Sequence, residues 1–232
     1  MIELYYSATP NGRKVAMLLE ELAVPYKPVP VNISAGDQFK PEFLAISPNN
    51  RIPAIVDYDV EGDPVPVFES GAIMWYLADK YGRFLSNDPL ERKETMEWMF
   101  WQVGGQGPMA GQLSHFVNYA PEDERGYGQT RYRGEYQRLA AVLDRRLDGR
   151  DWIVGDAYSI ADMIAWPWIL IAKPLTGDIS EMPNLMAWRA RIKDRPATRA
   201  AVDLGRDFDK GDVSEEDRQR LYFQDASTVQ KQ

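Results

Sequence analysis

The sequence predicts an α/β domain followed by a domain made of helices only. In the first third of the chain, short apolar runs typical of strands alternate with amphipathic stretches of helical spacing. From Asp88 onward the strand patterns disappear, and long helical patterns cover residues 88–119, 126–148, 159–173 and 183–204. We therefore predict an α/β domain at residues 1–82, a linker at 83–87, an all-α domain at 88–204 and a polar C-terminal tail at 205–232.

The α/β domain is predicted to begin with a strand, a helix and a second strand. The first strand covers residues 2–6, and a helix follows over residues 10–22. Thr9 is a suitable N-cap for this helix, and Pro10 favours its first position. The second strand covers residues 27–32. A right-handed crossover makes the two strands parallel.

A short helix at residues 39–46 leads to a strand in residues 51–57, and Pro53 stands near the start of that strand. Proline has no N–H to give a sheet, so it fits only a strand start, an edge or a turn. A trans bond would make Pro53 an ordinary start of an edge strand. A cis bond, which proline tolerates, would turn the N–H and C=O of Ile52 away from the sheet and toward an extended peptide. The residues alone leave both alternatives open.

After a further apolar strand, an acid and a hydroxyl open a helix predicted over residues 71–81. We place Ser70 as its N-cap, and the first amides of a helix attract a carboxylate. Glu69, just before it, is an acid that can pair with a cationic amine. Taken alone, this pair is an ordinary helix cap. Together with Pro53, it outlines a backbone-lined site for a zwitterionic ligand.

Composition excludes several kinds of chemistry. The 232 residues contain no Cys and a single His, His115, which excludes disulfides, zinc thiolate sites and thiol nucleophiles and disfavours a histidine metal centre. The net charge of −8 argues against a nucleic-acid or anionic-membrane partner. No apolar run reaches the roughly 18–20 residues of a membrane span, and the first residues lack a basic export signal. We therefore expect a cytosolic protein, whose catalysis must borrow its reactive group from a ligand.

One arrangement in the helical domain is expected to serve folding. Ser159 and Asp162 have the spacing of a capping box, in which each side chain binds the backbone N–H of the other ahead of an apolar helix. Trp166, Trp168 and Trp188 lie on predicted helices, and we expect them in the core.

Four motifs carry a family resemblance. They are residues 8–15 (ATPNGRKV), 36–39 (GDQF), 47–53 (SPNNRIP) and 101–109 (WQVGGQGPM). Together with the order of the domains, they resemble the cytosolic glutathione transferases over about residues 1–204, and within them the bacterial Nu class, which is similar to the glutathione-dependent disulfide-bond reductases. The resemblance implies a thioredoxin-like first domain, a cis bond before Pro53 and a homodimer. It also implies glutathione, reduced or as its disulfide, as the cofactor, without a metal.

The resemblance assigns binding residues. Ile52 would pair its backbone with the cysteinyl part of glutathione, while Glu69 and Ser70 would hold the γ-glutamyl end. Gln38 matches a position that reaches the glycyl end. Arg131 matches a helical-domain arginine that faces the ligand, although from the residues alone it reads as a solvated helix charge.

Thr9 and Asn11 are the catalytic residues that the resemblance implies. Thr9 stands where related proteins place a catalytic serine or a redox cysteine, and Asn11 stands where the thiol, or the disulfide of two glutathiones, would be hydrogen-bonded. Their donors and the N-terminus of the helix at Pro10 can stabilise a thiolate without a protein thiol. Tyr5 and Tyr6 are alternatives, since some transferase classes use a tyrosine near the end of the first strand.

Three functions follow from these observations. The first is an enzyme that uses two glutathiones, or glutathione disulfide, to reduce small disulfides, with organic hydroperoxides as further substrates. The second is conjugation or aryl-ether cleavage of an aromatic electrophile, in a pocket lined by Trp98, Phe100, Met109 and Phe116. The third is a non-catalytic glutathione-binding regulator.

Some side chains of the helical domain have competing roles at this stage. The four pocket residues also suit a core or a dimer contact. Met96, Met99 and Phe100 form a candidate apolar seam of the dimer. His115 can approach a second-substrate pocket or serve a structural or surface role.

Overall fold

A computed structural model describes residues 1–176, 179–206, 208, 221–222 and 224–225. Their contacts form two compact units, one of Met1–Ile73 with the described residues after Arg199, the other of Met74–Arg199. The division falls within a helix, so the linker proposed at 83–87 stays a prediction. Most of the tail proposed at 205–232 lies outside the described residues. None of the helices among the described residues is both long enough and apolar enough to cross a lipid bilayer.

The first unit contains a four-stranded mixed sheet. Its strands are β1 (Ile2–Tyr6), β2 (Tyr26–Pro30), β3 (Ala54–Asp57) and β4 (Val65–Phe68), in the spatial order β2-β1-β3-β4. β1 and β2 are parallel, as the crossover argument predicts, and the other two pairs are antiparallel. Both edge strands contain proline, Pro28 and Pro30 in β2 and Pro66 in β4. Proline is tolerated at an edge because no neighbouring strand needs its missing N–H.

Helix α1 (Pro10–Leu22) follows β1 and supplies the apolar stripe of the first unit. It begins after Thr9 and ends at Ala23, which adopts the left-handed conformation. The short helix proposed at 39–46 is wrong in its bounds. A 3-10 turn covers Asp37–Phe39, and α2 (Pro41–Leu44) begins anew, because a proline disfavours the helical conformation in the residue before it and starts a helix instead. The next helix is α3 (Ser70–Tyr81).

The helices of the second unit are shorter than the sequence patterns predict. They are α4 (Pro89–Trp101), α5 (Gly107–Asn118), α6 (Arg125–Arg146), α7 (Ile160–Leu170), α8 (Ala172–Thr176) and α9 (Pro183–Lys193), and α10 (Pro196–Asp203) follows them. The pattern at 88–119 is interrupted by a π-helical turn, Gln102–Gln106. Pro108, just beyond it, cannot donate the backbone bond that would continue α4. The pattern at 183–204 is likewise interrupted before Pro196.

A buried hydrogen-bond network organises α7. Ser159 is its N-cap, and together with Asp162 it forms a capping box. The buried carboxylate of Asp162 accepts from the Ser159 N–H at 3.0 Å, the Ile153 N–H at 3.0 Å and the Trp188 indole Nε1–H at 2.8 Å. Burial raises the pKa of Asp162 to about 6 although these bonds act in the opposite direction. Through its three hydrogen bonds, Asp162 connects the loop before α7 to α9. Its pKa of about 6 favours the ionised form at neutral pH.

Replacing Asp162 tests this network. Asp162→Ala leaves three buried donors without their acceptor, so we expect the free energy of unfolding to fall by at least about 3 kcal/mol. The matched control is Asp151→Ala, which removes an ion pair with Arg191 of 2.6 Å that is largely exposed and is expected to cost less than about 1 kcal/mol. Denaturant unfolding measures both variants. Similar losses in the two variants would contradict the structural role of Asp162.

Candidate active site

The start of α1 brings two predicted site residues to the end of β1. The Thr9 hydroxyl oxygen accepts from the backbone N–H of Gly12 at 3.3 Å. A hydroxyl that accepts in this way still has its own proton to donate. Asn11 lies in the first turn of α1 and is partly exposed, as is Thr9. Two side-chain donors and the positive end of a helix dipole therefore lie within one turn, an arrangement that favours an anion.

Gly12 fixes this turn against the strand. A Cβ atom at this position would collide with the Ser7 carbonyl oxygen and would lie 2.8 Å from the Tyr6 ring. Only a residue without a side chain allows α1 to approach β1 this closely. The buried Tyr6 in turn donates its hydroxyl to the Leu204 carbonyl at 3.3 Å, and its ring meets Phe208 edge-on at 6.2 Å.

The two tyrosines considered as alternatives have other partners. Tyr6 donates to a carbonyl, and burial raises the pKa of its phenol. Tyr5 donates its hydroxyl to the Glu3 carboxylate at 3.3 Å. Both hydroxyl protons are therefore engaged within the first unit. The roles of Thr9 and Asn11 toward a thiol stay predictions.

The segment before β3 holds Ile52. The Ile52–Pro53 peptide bond is cis, the alternative that the family resemblance implies. The Ser47 hydroxyl donates to the Arg51 carbonyl at 2.9 Å and closes this turn, in which Asn50 is buried with a positive φ of 47°. Ile52 is partly buried and packs against a buried apolar cluster of Val31, Phe43 and Ala54.

The start of α3 differs from the prediction. The Glu69 carbonyl accepts from the Ile73 N–H at 2.9 Å, and α3 begins at Ser70. Glu69 therefore occupies the cap position, with a positive φ of 70°, and Ser70 is the first helical residue. The prediction of Ser70 as N-cap is wrong by one residue, because the sequence pattern does not reveal that an acid adopts the left-handed conformation here. The exposed Glu69 carboxylate accepts from the Asn49 side-chain amide at 3.2 Å.

Lys14 lies buried beside the predicted site residue Ser70, a placement that sequence analysis did not predict. Its side chain is only 2% exposed, and its ammonium donates to the Ser70 hydroxyl at 3.3 Å. Burial lowers its pKa from 10.5 to about 7, against the opposing effect of the Glu69 carboxylate. A signal for it exists in the sequence. Lys14 lies four residues before Leu18, on the apolar side of α1, where a lysine is uncommon.

Gln38 is also buried, with 1% of its surface exposed. Its amide nitrogen donates to the Ile33 carbonyl at 3.1 Å. Its amide oxygen has no hydrogen-bond partner among the described residues. A buried acceptor of this kind is expected to find a donor. Contact of this side chain with a ligand N–H stays a prediction.

Arg131 belongs to the second unit, on α6. It is exposed, and its guanidinium lies 4.0 Å from the Glu135 carboxylate. That carboxylate is held by two shorter bonds of 2.8 Å from Arg138. Arg131 is therefore only loosely engaged, and its role toward a ligand stays a prediction.

The side chains predicted to line a pocket or a dimer contact in the second unit differ in packing and exposure. Phe116 on α5 stacks on Tyr132 at 5.6 Å and 20°, while His115 meets Phe116 edge-on at 5.5 Å. On α4, by contrast, Phe100 and Met96 are 67% and 44% exposed. Trp98, like Met109 on α5, is partly buried.

The apolar seam proposed for a dimer needs one correction. Met99 is buried, with 5% of its surface exposed. It therefore belongs to the core of the second unit. The seam that remains consists of Met96 and Phe100, which are four residues apart and share one face of α4.

The close approach of Gly12 generates a stability prediction. Gly12→Ala adds a methyl group that the backbone of Ser7 cannot accommodate, so we expect the free energy of unfolding to fall by about 1–3 kcal/mol. Gly134→Ala on α6 is the control, because nothing lies within 4 Å of its added Cβ. It is expected to stabilise by about 0.5–1 kcal/mol. Denaturant unfolding measures both variants. An unchanged free energy of unfolding in Gly12→Ala would contradict the close contact with Ser7.

The low pKa of Lys14 generates a pH prediction. The unfolded chain restores the usual pKa near 10.5, so between pH 7 and 9 the unfolded state binds more protons and the stability of the wild type rises with pH. Lys14→Met lacks this group. We expect the stability of the wild type relative to this variant to increase by up to about 1.4 kcal/mol per pH unit in this range and to stay constant below it. If the stabilities of the wild type and Lys14→Met changed with pH in the same way, the pKa of Lys14 would not be lowered.

Comparison with protein-family models identifies both parts of the chain. Residues 8–80 match the glutathione S-transferase N-terminal domain, and residues 115–196 match the glutathione S-transferase C-terminal domain. Among curated proteins, the chain is 48% identical to the disulfide-bond oxidoreductase YfcG of Escherichia coli, over 87% of this chain and 94% of that protein. It is 37% identical to the disulfide-bond oxidoreductase YghU of the same organism, over 85% and 73% of the two chains.

Solved structures show the same architecture. A glutathione transferase from Burkholderia graminis, with two glutathione molecules bound per subunit, is 42% identical, with 89% of each chain covered and a TM-score of 0.84. A glutathione transferase from Pseudomonas putida, with one glutathione disulfide bound per subunit, is 41% identical, with 88% and 91% covered and a TM-score of 0.82. The first unit is thus thioredoxin-like and the second is the helical domain of this architecture, and the chain belongs to the glutathione transferase family of enzymes.

Proposed function

We propose that the protein is a glutathione-dependent disulfide-bond oxidoreductase that works without a protein thiol. The observation that carries the proposal is the start of α1, where Thr9 and Asn11 present donors beside the helix N-terminus in a chain without cysteine. In the balanced reaction, two glutathiones reduce one disulfide to two thiols and leave as glutathione disulfide. The relatives named as disulfide-bond oxidoreductases support this direction of chemistry.

The role of Thr9 and Asn11 is to stabilise a sulfur anion. A thiolate forms at neutral pH only where donors and positive potential favour it. The Thr9 hydroxyl already accepts from Gly12, so its proton is directed elsewhere, and the Asn11 amide adds a second donor. The dipole of α1 acts in the same direction. Together these groups lower the pKa of a thiol held at the helix start.

The remaining residues of the first unit hold the peptide parts of glutathione. Ile52 pairs with the cysteinyl backbone, and the buried oxygen of Gln38 accepts from the N–H of the glycyl residue. The γ-glutamyl group has an amine and a carboxylate. Glu69 pairs with the amine, while Ser70 and the first amides of α3 receive the carboxylate.

Four further features belong to the proposal. Arg131, on α6 of the helical domain, faces a second glutathione. The relative from Burkholderia graminis, which has two glutathione molecules bound per subunit, supports this role. A homodimer covers the exposed apolar side chains of Met96 and Phe100 on α4. Organic hydroperoxides are further substrates, and the protein acts in the cytosol.

Conjugation or aryl-ether cleavage is the second candidate function. The stacked pair of Phe116 and Tyr132, with His115 against it, favours this alternative, because aromatic rings stack on an aromatic electrophile. In that reaction one glutathione attacks carbon and no disulfide forms.

The two functions are separated by the ligand that gently purified protein retains. Mass spectrometry identifies this ligand, and a glutathione-dependent assay measures reduction of a small disulfide. Glutathione disulfide or two glutathiones per subunit, together with turnover, supports the reductase. A single glutathione without disulfide reduction would contradict the reductase and favour conjugation.

Asn11→Ala tests the assigned donor. Loss of one preorganised donor to a developing anion commonly lowers turnover by about 100-fold, and we expect a loss of this order in kcat/KM for disulfide reduction. Asn118→Ala is the matched control, because this asparagine is exposed on α5 and its amide binds only Ser114 among the bonds described for it. It should retain wild-type turnover. Full activity in Asn11→Ala would overturn the assignment of Asn11.

A further inference from the structure

Lys14 is a charged group that the proposed reaction does not yet use. It is only 2% exposed, and it lies on the side of α1 that also carries buried apolar residues. Removing an ammonium from water is unfavourable unless hydrogen bonds or opposite charges compensate. Its identified side-chain contact is the Ser70 hydroxyl at 3.3 Å, at the first residue of α3. The buried charge therefore lies directly behind the start of this helix.

The chemistry of this contact fixes the direction of the Ser70 proton. An ammonium has three donors and no lone pair, so the Ser70 oxygen must accept from Lys14. A hydroxyl has one proton, and that proton is then directed to an acceptor other than Lys14. Ser70 is itself largely buried. With Lys14 charged, Ser70 is thus held as a donor at the helix start, where the backbone N–H groups also favour an anion.

The charges at the start of α3 form a pair of opposite sign. Glu69 is exposed and acidic, whereas Lys14 is buried and basic, and the ammonium form of Lys14 is favoured by the Glu69 carboxylate. An α-amino acid group presents an amine and a carboxylate that are only two bonds apart. Glu69 suits the amine, and the Lys14–Ser70 pair suits the carboxylate.

We propose that Lys14 is a positioning residue that selects the α-carboxylate of the γ-glutamyl group, acting through the Ser70 hydroxyl. This inference rests on the proposed binding of glutathione. It adds a buried charge, the Lys14 ammonium, which acts on the ligand only through Ser70 and does not touch the ligand itself. Part of the specificity for an amino acid group then resides in a buried residue of α1.

The test compares two ligands in two proteins. The ligands are glutathione and its analogue without the α-carboxylate, 4-aminobutyryl-cysteinyl-glycine. Isothermal titration measures their affinities for the wild type and for Lys14→Met, in which an apolar side chain of similar length replaces the lysine. We expect the wild type to prefer glutathione by about 10- to 100-fold, since a charge-assisted interaction is lost in the analogue. Lys14→Met should bind glutathione about tenfold or more weakly and bind both ligands with similar affinity.

The difference between the ligands separates a positioning role from a structural one. A purely structural role, or one exerted on the amine through Glu69, would weaken both ligands equally and preserve the preference, and this result would overturn the inference. Lys27→Met is the matched control, because Lys27 is exposed and pairs with Glu3 at 3.0 Å. It should retain the affinities of the wild type.

Two further arms keep the outcome clear. If Lys14→Met does not fold, Lys14→Gln, which also lacks the charge, is measured in its place, and a preserved preference there overturns the inference. Ser70→Ala should lose the preference too, and Lys14→Met should add nothing further in that background. If the wild type binds neither ligand, the proposed function itself fails. If the wild type prefers glutathione and the lysine variants keep that preference, only the role of Lys14 fails.

Discussion

The packing of α1 against the end of β1 is the contact on which the site depends. Gly12 lies so close to the Ser7 carbonyl and the Tyr6 ring that no side chain fits between them. This contact fixes the direction of the first turn of α1. Thr9 and Asn11 flank Pro10 at the strand end and are partly exposed, while Lys14, one turn later, is buried against Ser70. This close approach thus fixes the start of the helix that has Thr9 as its cap and carries Asn11 and Lys14.

A chain without cysteine can contribute only binding and electrostatics to thiol chemistry. In the proposed reaction the ligand supplies the sulfur, and the protein supplies donors that favour its ionised form. Such donors are effective because they are positioned before the charge develops, so little reorganisation is needed when it does. In the proposed site Thr9 illustrates this preorganisation, since its oxygen is engaged with the Gly12 N–H while its proton can be donated to an anion.

Features set by local chemistry were predictable from the sequence. The start of α1 at Pro10 follows from a cap and a proline, and the capping box at Ser159 and Asp162 follows from residue spacing. The parallel pairing of β1 and β2 follows from the handedness of crossovers. The breaks before Pro41 and Pro196 differ from the predicted helices, because the helical periodicity continues across both positions while each proline lacks an N–H.

Features set by contacts distant in sequence were not predictable in this way. The Lys14–Ser70 contact joins residues 56 positions apart, and hydrophobic patterning places Lys14 on the apolar side of α1 without indicating the partner of its ammonium. The burial of Met99 beside the exposed Met96 and Phe100 also depends on how α4 turns within its unit. The family resemblance indicates which residues meet the ligand. It does not indicate which charges lie behind them.

The buried position of Lys14 connects stability with binding. In the protein without ligand, desolvation of this ammonium is unfavourable, as its low pKa shows, and Glu69 compensates only in part. A protein retains such a residue when function requires a locally destabilised group. An anion bound at Ser70 would favour the charged form of Lys14 and would itself be favoured by it, because the coupling between two charges is reciprocal. In the proposed role of Lys14, the unfavourable burial of its charge is offset in part when a ligand carboxylate binds at Ser70.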